Sequence, residues 1–226
     1  MRCDEVVKKL NAMADPAMAE YKYNRGCRAQ ICYGIKVSDL RKIAAAIGKN
    51  HPLALELFDT GIHEARKLAS MIDDPQQVTR IQMEKWAAAF DSWDLCDCCC
   101  SSLFVKTPYA CTKALEWSRR NEEYVKRAAF ALMAHLVFHD KSAGDDMFEQ
   151  FFPAIKRGAL DDRHFVKKAV NWSLRQIGKR NLSLNKKAIE LAGQILKIES
   201  KTAQWIAAHA LRELTGPKIN ILGYPR

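Results

Sequence analysis

Between its turn signals the chain reads almost throughout as helix. Apolar residues return at helical spacing, and no convincing alternation of apolar and polar residues marks a strand. Helices are predicted over Asp4–Ala14, Ser38–Gly48, Pro52–Leu57, Ile62–Met71, Pro75–Phe90 and Ser92–Phe104. Others follow over Pro108–Ser118, Glu122–Phe138, Met147–Arg157, Arg163–Lys179, Lys186–Ile198 and Lys201–Thr215. Breakers such as Gly48-Lys49-Asn50, Asp73-Asp74-Pro75 and Gly216-Pro217 separate them. The expected class is all-α.

Three of these segments have informative faces. At about 100° per residue, Val166, Ala169, Val170, Ser173 and Ile177 share a core side. Lys168, Trp172, Arg175 and Lys179 share the opposite side, so Trp172 sits on a basic face. The last helix repeats the pattern, with Trp205, His209 and Arg212 opposite Ala203, Ile206, Ala210 and Leu214. Such a basic and aromatic stripe suits phosphates and a sugar or base, and equally a solvated face whose tryptophan packs on a neighbour. In Glu122–Phe138, Val125, Ala129, Leu132 and Leu136 form the core stripe. Arg127 is expected to project from an alanine surface with Ala131 and Ala134, where its guanidinium could fork onto a phosphate or pair with an acid.

The faces also repeat. The segment from Lys168 resembles that from Trp205, 37 residues on, and Arg127-Ala128-Ala129-Phe130-Ala131-Leu132 starts 41 residues before Lys168. A period of about 40 residues in an all-helical chain suggests stacked helix pairs, a HEAT-like or armadillo-type α-solenoid. Second helices usually line its concave face, and cations there would form a basic concave groove for a polyanion. The expectation is one repeat domain over residues 1–226, with an N-terminal helix in 1–20 and a tail in 216–226.

Charge points the same way. Thirty-six Lys and Arg against 26 Asp and Glu give +10 over 226 residues, and the pI is near 9.2. An anionic partner is expected, nucleic acid first. No run approaches the roughly 18 apolar residues of a membrane span, and MRCDEVVKKL lacks the apolar core of a signal peptide. A cytoplasmic, monomeric protein with no membrane partner is expected. The eight cysteines then read as reduced thiols.

Four of those cysteines lie in Phe90–Cys100, FDSWDLCDCCC. Asp91 or Ser92 suits an N-cap, and Asp94 complements the helix dipole in the first turn. Cys98, Cys99 and Cys100 point about 100° apart, so one helix cannot wrap them around a tetrahedral ion; no metal is expected. Cys96 and Cys99 read as small apolar residues on the buried side with Leu103, and Cys100 as their margin. Asp97 has no such ordinary explanation. It stands one turn after Trp93, so carboxylate and indole share one edge of the helix. Trp86 and Trp117 read as core, and His135 and His164 as structural.

Trp93-Asp94-x-x-Asp97, Lys126-Arg127-Ala128 and Phe165-x-Lys167-Lys168-Ala169-x-x-Trp172-x-x-Arg175 resemble the AlkD-type DNA alkylation repair glycosylases, as does Tyr33-Gly34-Ile35-Lys36-x-Ser38-x-Leu40-Arg41. The resemblance spans roughly residues 20–215, with its elements in the family's order. It implies a HEAT-like solenoid that hydrolyses the N-glycosidic bond of cationic alkylpurines, N3-methyladenine and N7-methylguanine, in double-stranded DNA. It implies no metal or organic cofactor and no base-swallowing pocket.

The chemistry of the residues suits that role. A cationic purine already leaves well, so the remaining barrier is positive charge developing on the sugar. Asp97 would stabilise that charge and orient water, with Trp93 and Trp172 as aromatic walls. Arg127 would hold a phosphate beside the lesion, with Arg175 and Lys168 supporting the backbone. Lys179 and Arg212, on the same polar faces, complete the expected DNA-binding set. Two other readings share the features: a non-catalytic protein binding distorted or branched DNA, and a protein–protein scaffold.

Overall fold

The computed structural model describes residues 1–216 and 221. Apart from Gly216 and Ile221, the predicted tail lies outside the described residues. The helices are α1 (Cys3–Ala12), α2 (Pro16–Tyr23), α3 (Val37–Ile47), α4 (His51–Asp59), α5 (His63–Ile72), α6 (Arg80–Ala88) and α7 (Trp93–Ser102). After a short 3-10 turn, Phe104–Lys106, come α8 (Ala110–Trp117), α9 (Glu123–His139), α10 (Asp145–Glu149), α11 (Phe152–Gly158), α12 (His164–Gly178), α13 (Leu182–Leu196) and α14 (Lys201–Leu214). Among the described residues, the one β pairing is an isolated parallel bridge between Ile31 and Ile62.

Two compact units divide the chain, Met1–Pro108 and Tyr109–Arg226. In the first, α5 packs between α3 and α7, and α4 packs on α5. In the second, α9, α12 and α14 pack side by side, and each is backed by the helix before it, α8, α11 or α13. The repeated segments at Arg127, Lys168 and Trp205 fall in α9, α12 and α14, so the sequence period is the period of this row.

Where boundaries differ from expectation, local chemistry explains the difference. Asp15 caps α2 by accepting from the Met18 amide, and Pro16 fits its first turn. Only Ala19 of that helix is buried, so it shows no apolar stripe. The long helix expected from Pro75 starts at Arg80, capped by the Thr79 hydroxyl. Met147–Arg157 is two helices, because Pro153 lacks an amide and its ring crowds the preceding turn. Asn181 starts α13 four residues early by accepting from the Leu184 amide.

The core of the first unit centres on Trp86, fully buried and stacked on Phe58 at 4.0 Å between ring centroids. Trp117 is equally buried in the second unit, so both tryptophans are core as expected. The predicted core stripes of α9 and α12 are buried. The predicted alanine surface of α9 is not a surface. Ala131 and Ala134 are fully buried and Arg127 nearly so, because α9 is flanked by α8 and α12. The expectation for Cys100 also changes: it is fully buried, as are Cys96 and Cys99, rather than marginal.

Gly34 fixes the loop between α2 and α3. Its φ is +77°, and a Cβ there would stand 2.2 Å from the Asp15 carbonyl oxygen and 2.6 Å from the Ala19 amide. Backbone on both sides cannot yield, so Gly34→Ala is expected to destabilise the protein by about 2–3 kcal/mol. The check is a urea-denaturation midpoint, and a variant with the wild-type midpoint would contradict the contact.

Candidate functional site

The predicted site residues are divided between the two units, and each set is described within its own. In the first unit, Trp93 and Asp97 lie one turn apart on α7 as expected. The Trp93 indole is 36% exposed, the most open of the protein's tryptophans, and its Nε1–H donates to the Arg25 carbonyl at 3.1 Å. Asp97 is half-buried.

The N-cap of α7 is one of the two residues expected, but the ion pairs that hold the helix start were not visible in the sequence. Ser92 is the N-cap, its hydroxyl accepting from the Leu95 amide. Asp91 and Asp94 are therefore free for other work and bind the charged face of α5. The Arg66 guanidinium donates to Asp91 and, at 3.0 Å, to the Ala89 carbonyl. Asp94 accepts from His63 Nε2 at 3.1 Å and from Lys67 Nζ at 2.9 Å. His63, Arg66 and Lys67 are all buried. Asp94 thus does more than complement a dipole: it neutralises two buried cations.

Glu64, on the same helix, does the complementary task. Its buried carboxylate accepts from Lys22 Nζ at 2.6 Å and from the Tyr33 and Gly34 amides at 2.7 and 3.0 Å. Burial would raise its pKa, but the Lys22 charge and these donors hold it below the usual carboxylate range. Asp94 is likewise held far down, since His63 and Lys67 outweigh its burial. Burial would lower His63, but its bonds to Asp94 and Cys27 raise it to about 9. The four cysteines of α7 are packing groups, and burial pushes the Cys99 and Cys100 thiols well up.

In the second unit, Lys168, Trp172, Arg175 and Lys179 share the outer side of α12, as the spacing predicts. Lys168 is exposed, and Trp172 is half-buried with its ring edge-on to His135 at 5.0 Å. Arg175 and Lys179 are already paired, both with Glu213 of α14; the Lys179 bond is 2.6 Å. Glu213 has no signal in the sequence, because both its partners lie on α12, far back along the chain. Arg212 is exposed and donates to His209 Nδ1 at 3.0 Å. Arg127 is 6% exposed, and its Nη1 donates to the Phe165 carbonyl at 2.7 Å. It joins α9 to the first turn of α12 rather than standing on an open face.

Trp205 is half-buried under Lys167, whose Nζ lies 5.0 Å from the ring centroid. A further basic cleft of about 490 Å³ is lined by Ser118, Arg119, Lys126, Arg157 and Gly158. Lys126 is paired there with Asp161 at 3.0 Å, while Arg119 and Arg157 are exposed. No helix among the described residues is long and apolar enough to cross a membrane.

The helix pairs and their side-by-side rows define a HEAT-like repeat protein. A solved structure described as a new family of proteins related to the HEAT-like repeat DNA glycosylases, with affinity for branched DNA structures, superposes with a TM-score of 0.77. It is 20% identical, and the match covers 100% of this chain and 99% of that one. Two relatives match in sequence. The uncharacterized protein Lin0241 of Listeria innocua serovar 6a is 25% identical over 199 residues, covering 86% of this chain and 87% of its own. The uncharacterized protein Lmo0209 of Listeria monocytogenes serovar 1/2a is 24% identical with the same coverage. Residues 6–214 match the family described as DNA alkylation repair enzyme. The chain belongs to that family.

The cluster beneath α7 has a pH signature. His63 is raised from 6.5 to about 9, so its contribution to stability is complete below 6.5 and lost as pH rises through 9. Cys27, whose Sγ lies 3.7 Å from His63 Nδ1, runs the other way. The bond from Cys32 and, against burial, the His63 charge lower its value from 9.0 to about 5, so its contribution is complete above 9.0 and lost as pH falls through 5. Between 6.5 and 9 the two slopes oppose each other. Relative to wild type, Cys27→Ala is expected to lose stability progressively as pH rises over that interval. Urea midpoints at fixed ionic strength check this, and parallel profiles would rule out the thiolate–imidazolium pair.

Proposed function

We propose that this chain is a DNA glycosylase that hydrolyses the N-glycosidic bond of cationic alkylated purines in double-stranded DNA. Membership of the DNA alkylation repair enzyme family over residues 6–214 carries the reading. The residue chemistry supports it. Asp97 is the carboxylate that stabilises the oxocarbenium-like sugar and orients the attacking water. Trp93, one turn from Asp97 on α7, offers an electron-rich face to that developing charge, and Trp172 offers another aromatic face on the basic side of α12. A leaving purine made cationic by alkylation needs no protonation, so no separate general acid is required.

The cations have graded roles. Lys168 and Arg212, exposed on α12 and α14, meet backbone phosphates directly. Arg175 and Lys179 share Glu213, and a phosphate must compete with that carboxylate for them. Arg127 is committed in part to the Phe165 carbonyl, so its guanidinium approaches DNA with its direction already set. The similarity to a protein with affinity for branched DNA structures favours a second reading, in which the chain binds distorted DNA without cleaving it.

Release of N7-methylguanine from methylated duplex DNA separates the two. Wild type is expected to release the base, and Asp97→Asn to lower the rate by roughly 100- to 1,000-fold while retaining much of the DNA affinity. No release by wild type, or equal release by both proteins, would sink the glycosylase reading. Glu213→Gln is expected to strengthen binding of undamaged duplex several-fold at low salt. Its salt dependence should also steepen, since each additional phosphate contact adds about 0.9 to the slope of log K against log salt. An unchanged slope would place Arg175 and Lys179 outside the DNA interface.

A further inference from the structure

Two thiols that the glycosylase reading does not use lie in the loop between α2 and α3. Cys27 is 4% exposed, and Cys32, five residues on, is partly exposed. The Cys27 Sγ is 3.7 Å from His63 Nδ1, and the other nitrogen of that ring is 3.1 Å from Asp94 Oδ2. The imidazole is therefore held between a thiol and a carboxylate. That is the arrangement that activates a sulfur nucleophile and fixes its base. Lys67, on the far side of Asp94, keeps the carboxylate ionised.

Cys32 has the opposite surroundings. Its thiol donates to Glu64 Oε1 at 3.4 Å, so the two thiols, five residues apart in one loop, contact consecutive residues of α5, His63 and Glu64. One sulfur of the pair thus faces a cation and the other an anion. Neither sulfur belongs to a helix, so closing them to the S–S distance of about 2.05 Å unwinds none. The helical thiols of α7 are different, being buried in packing contacts.

We propose that Cys27 and Cys32 are a peroxide-oxidisable dithiol, in which Cys27 is the attacking sulfur and Cys32 the resolving one. The Cys27 thiolate attacks one oxygen of hydrogen peroxide, and the O–O bond breaks. Cys27 becomes a sulfenic acid, and the departing hydroxide takes a proton to leave as water. The Cys32 sulfur then attacks Cys27, its proton leaves with the sulfenic oxygen as a second water, and the S–S bond forms. Two electrons pass from the sulfurs to the peroxide, and a thiol reductant reverses the change.

The electrostatics agree with this division of labour. The bond from Cys32 lowers the Cys27 thiol, and His63 does the same against the opposing effect of burial, bringing it to about 5. Its bond to Cys27, burial and the Glu64 charge hold the Cys32 thiol well above the usual range. Lys22 and the Gly34 amide oppose that rise without reversing it. Tyr23 is the remaining titratable neighbour, and its hydroxyl is raised by burial and by both thiols.

The proposal does not rest on the glycosylase reading, and its test measures no DNA chemistry. The reduced full-length protein is titrated with hydrogen peroxide, quenched with iodoacetamide, digested and mapped by mass spectrometry. The expected first product is an intramolecular Cys27–Cys32 disulfide, formed before any other cysteine reacts. In Cys32→Ser, a 1,3-diketone probe should instead trap a sulfenic acid on Cys27. The pH midpoint for iodoacetamide labelling of Cys27 should lie near 5 in wild type and move toward the ordinary thiol value of 9.0 in His63→Gln. Should that variant not fold, wild-type mapping and the wild-type midpoint decide. Oxidation of Cys3 or Cys111 while Cys27 stays reduced would overturn the proposal, as would a wild-type Cys27 midpoint near 9.0.

Discussion

The first unit depends on charge buried along one helix. His63, Glu64, Arg66 and Lys67 occupy α5 with almost no solvent contact. An ion left alone in such a place costs several kcal/mol, so each must find its counter-charge. Lys22 answers Glu64, Asp91 answers Arg66, and Asp94 answers His63 and Lys67 together. Glu64 also takes the two backbone amides at Tyr33 and Gly34, which fixes the loop before α3. Removing one partner from a buried pair typically costs about 3–5 kcal/mol, more than a single good apolar contact provides. The direction of α7, and hence of Trp93 and Asp97, follows from the pairings that Asp91 and Asp94 make at its start.

The second unit is built on the opposite principle. Its helix α12 packs between α9 and α14, and both α9 and α12 bury long stretches of apolar and small residues. Gly158 lets α11 come down on this pair: a Cβ there would stand 2.4 Å from the Phe130 ring. Two polar links run from buried side chains to carbonyls of the neighbouring helix. Arg127 reaches the Phe165 carbonyl, and the Asn171 amide donates to the Ile206 carbonyl at 2.9 Å. In the first unit α5 is thus held by buried charge, whereas in the second the closest approach, of α11 to α9, is set by shape.

This difference decides what the sequence could reveal. The amphipathic faces of α12 and α14 are periodic, so their cores and basic sides were legible, as was the spacing of the repeats. The helix α2 was not, because a single buried alanine gives no stripe. The role of α5 was obscured for a deeper reason. Nothing in His-Glu-Ala-Arg-Lys itself marks these side chains as buried, and their counter-charges, Lys22, Asp91 and Asp94, stand far from them along the chain. Pairing over such a separation has no local signature. Glu213 was hidden in the same way, and Arg127 was misjudged because an alanine face reads alike whether it is open or packed.

The position of Trp93 has a spectroscopic consequence. Trp86 and Trp117 are fully buried, whereas Trp93 is open to water and tied to the chain by its Arg25 bond. Its emission lies to the red of theirs and is open to quenching by a dissolved anion. The protein therefore carries an intrinsic optical reporter at the helix that also bears Asp97, and occupancy of that surface can be followed in unlabelled protein by selective quenching.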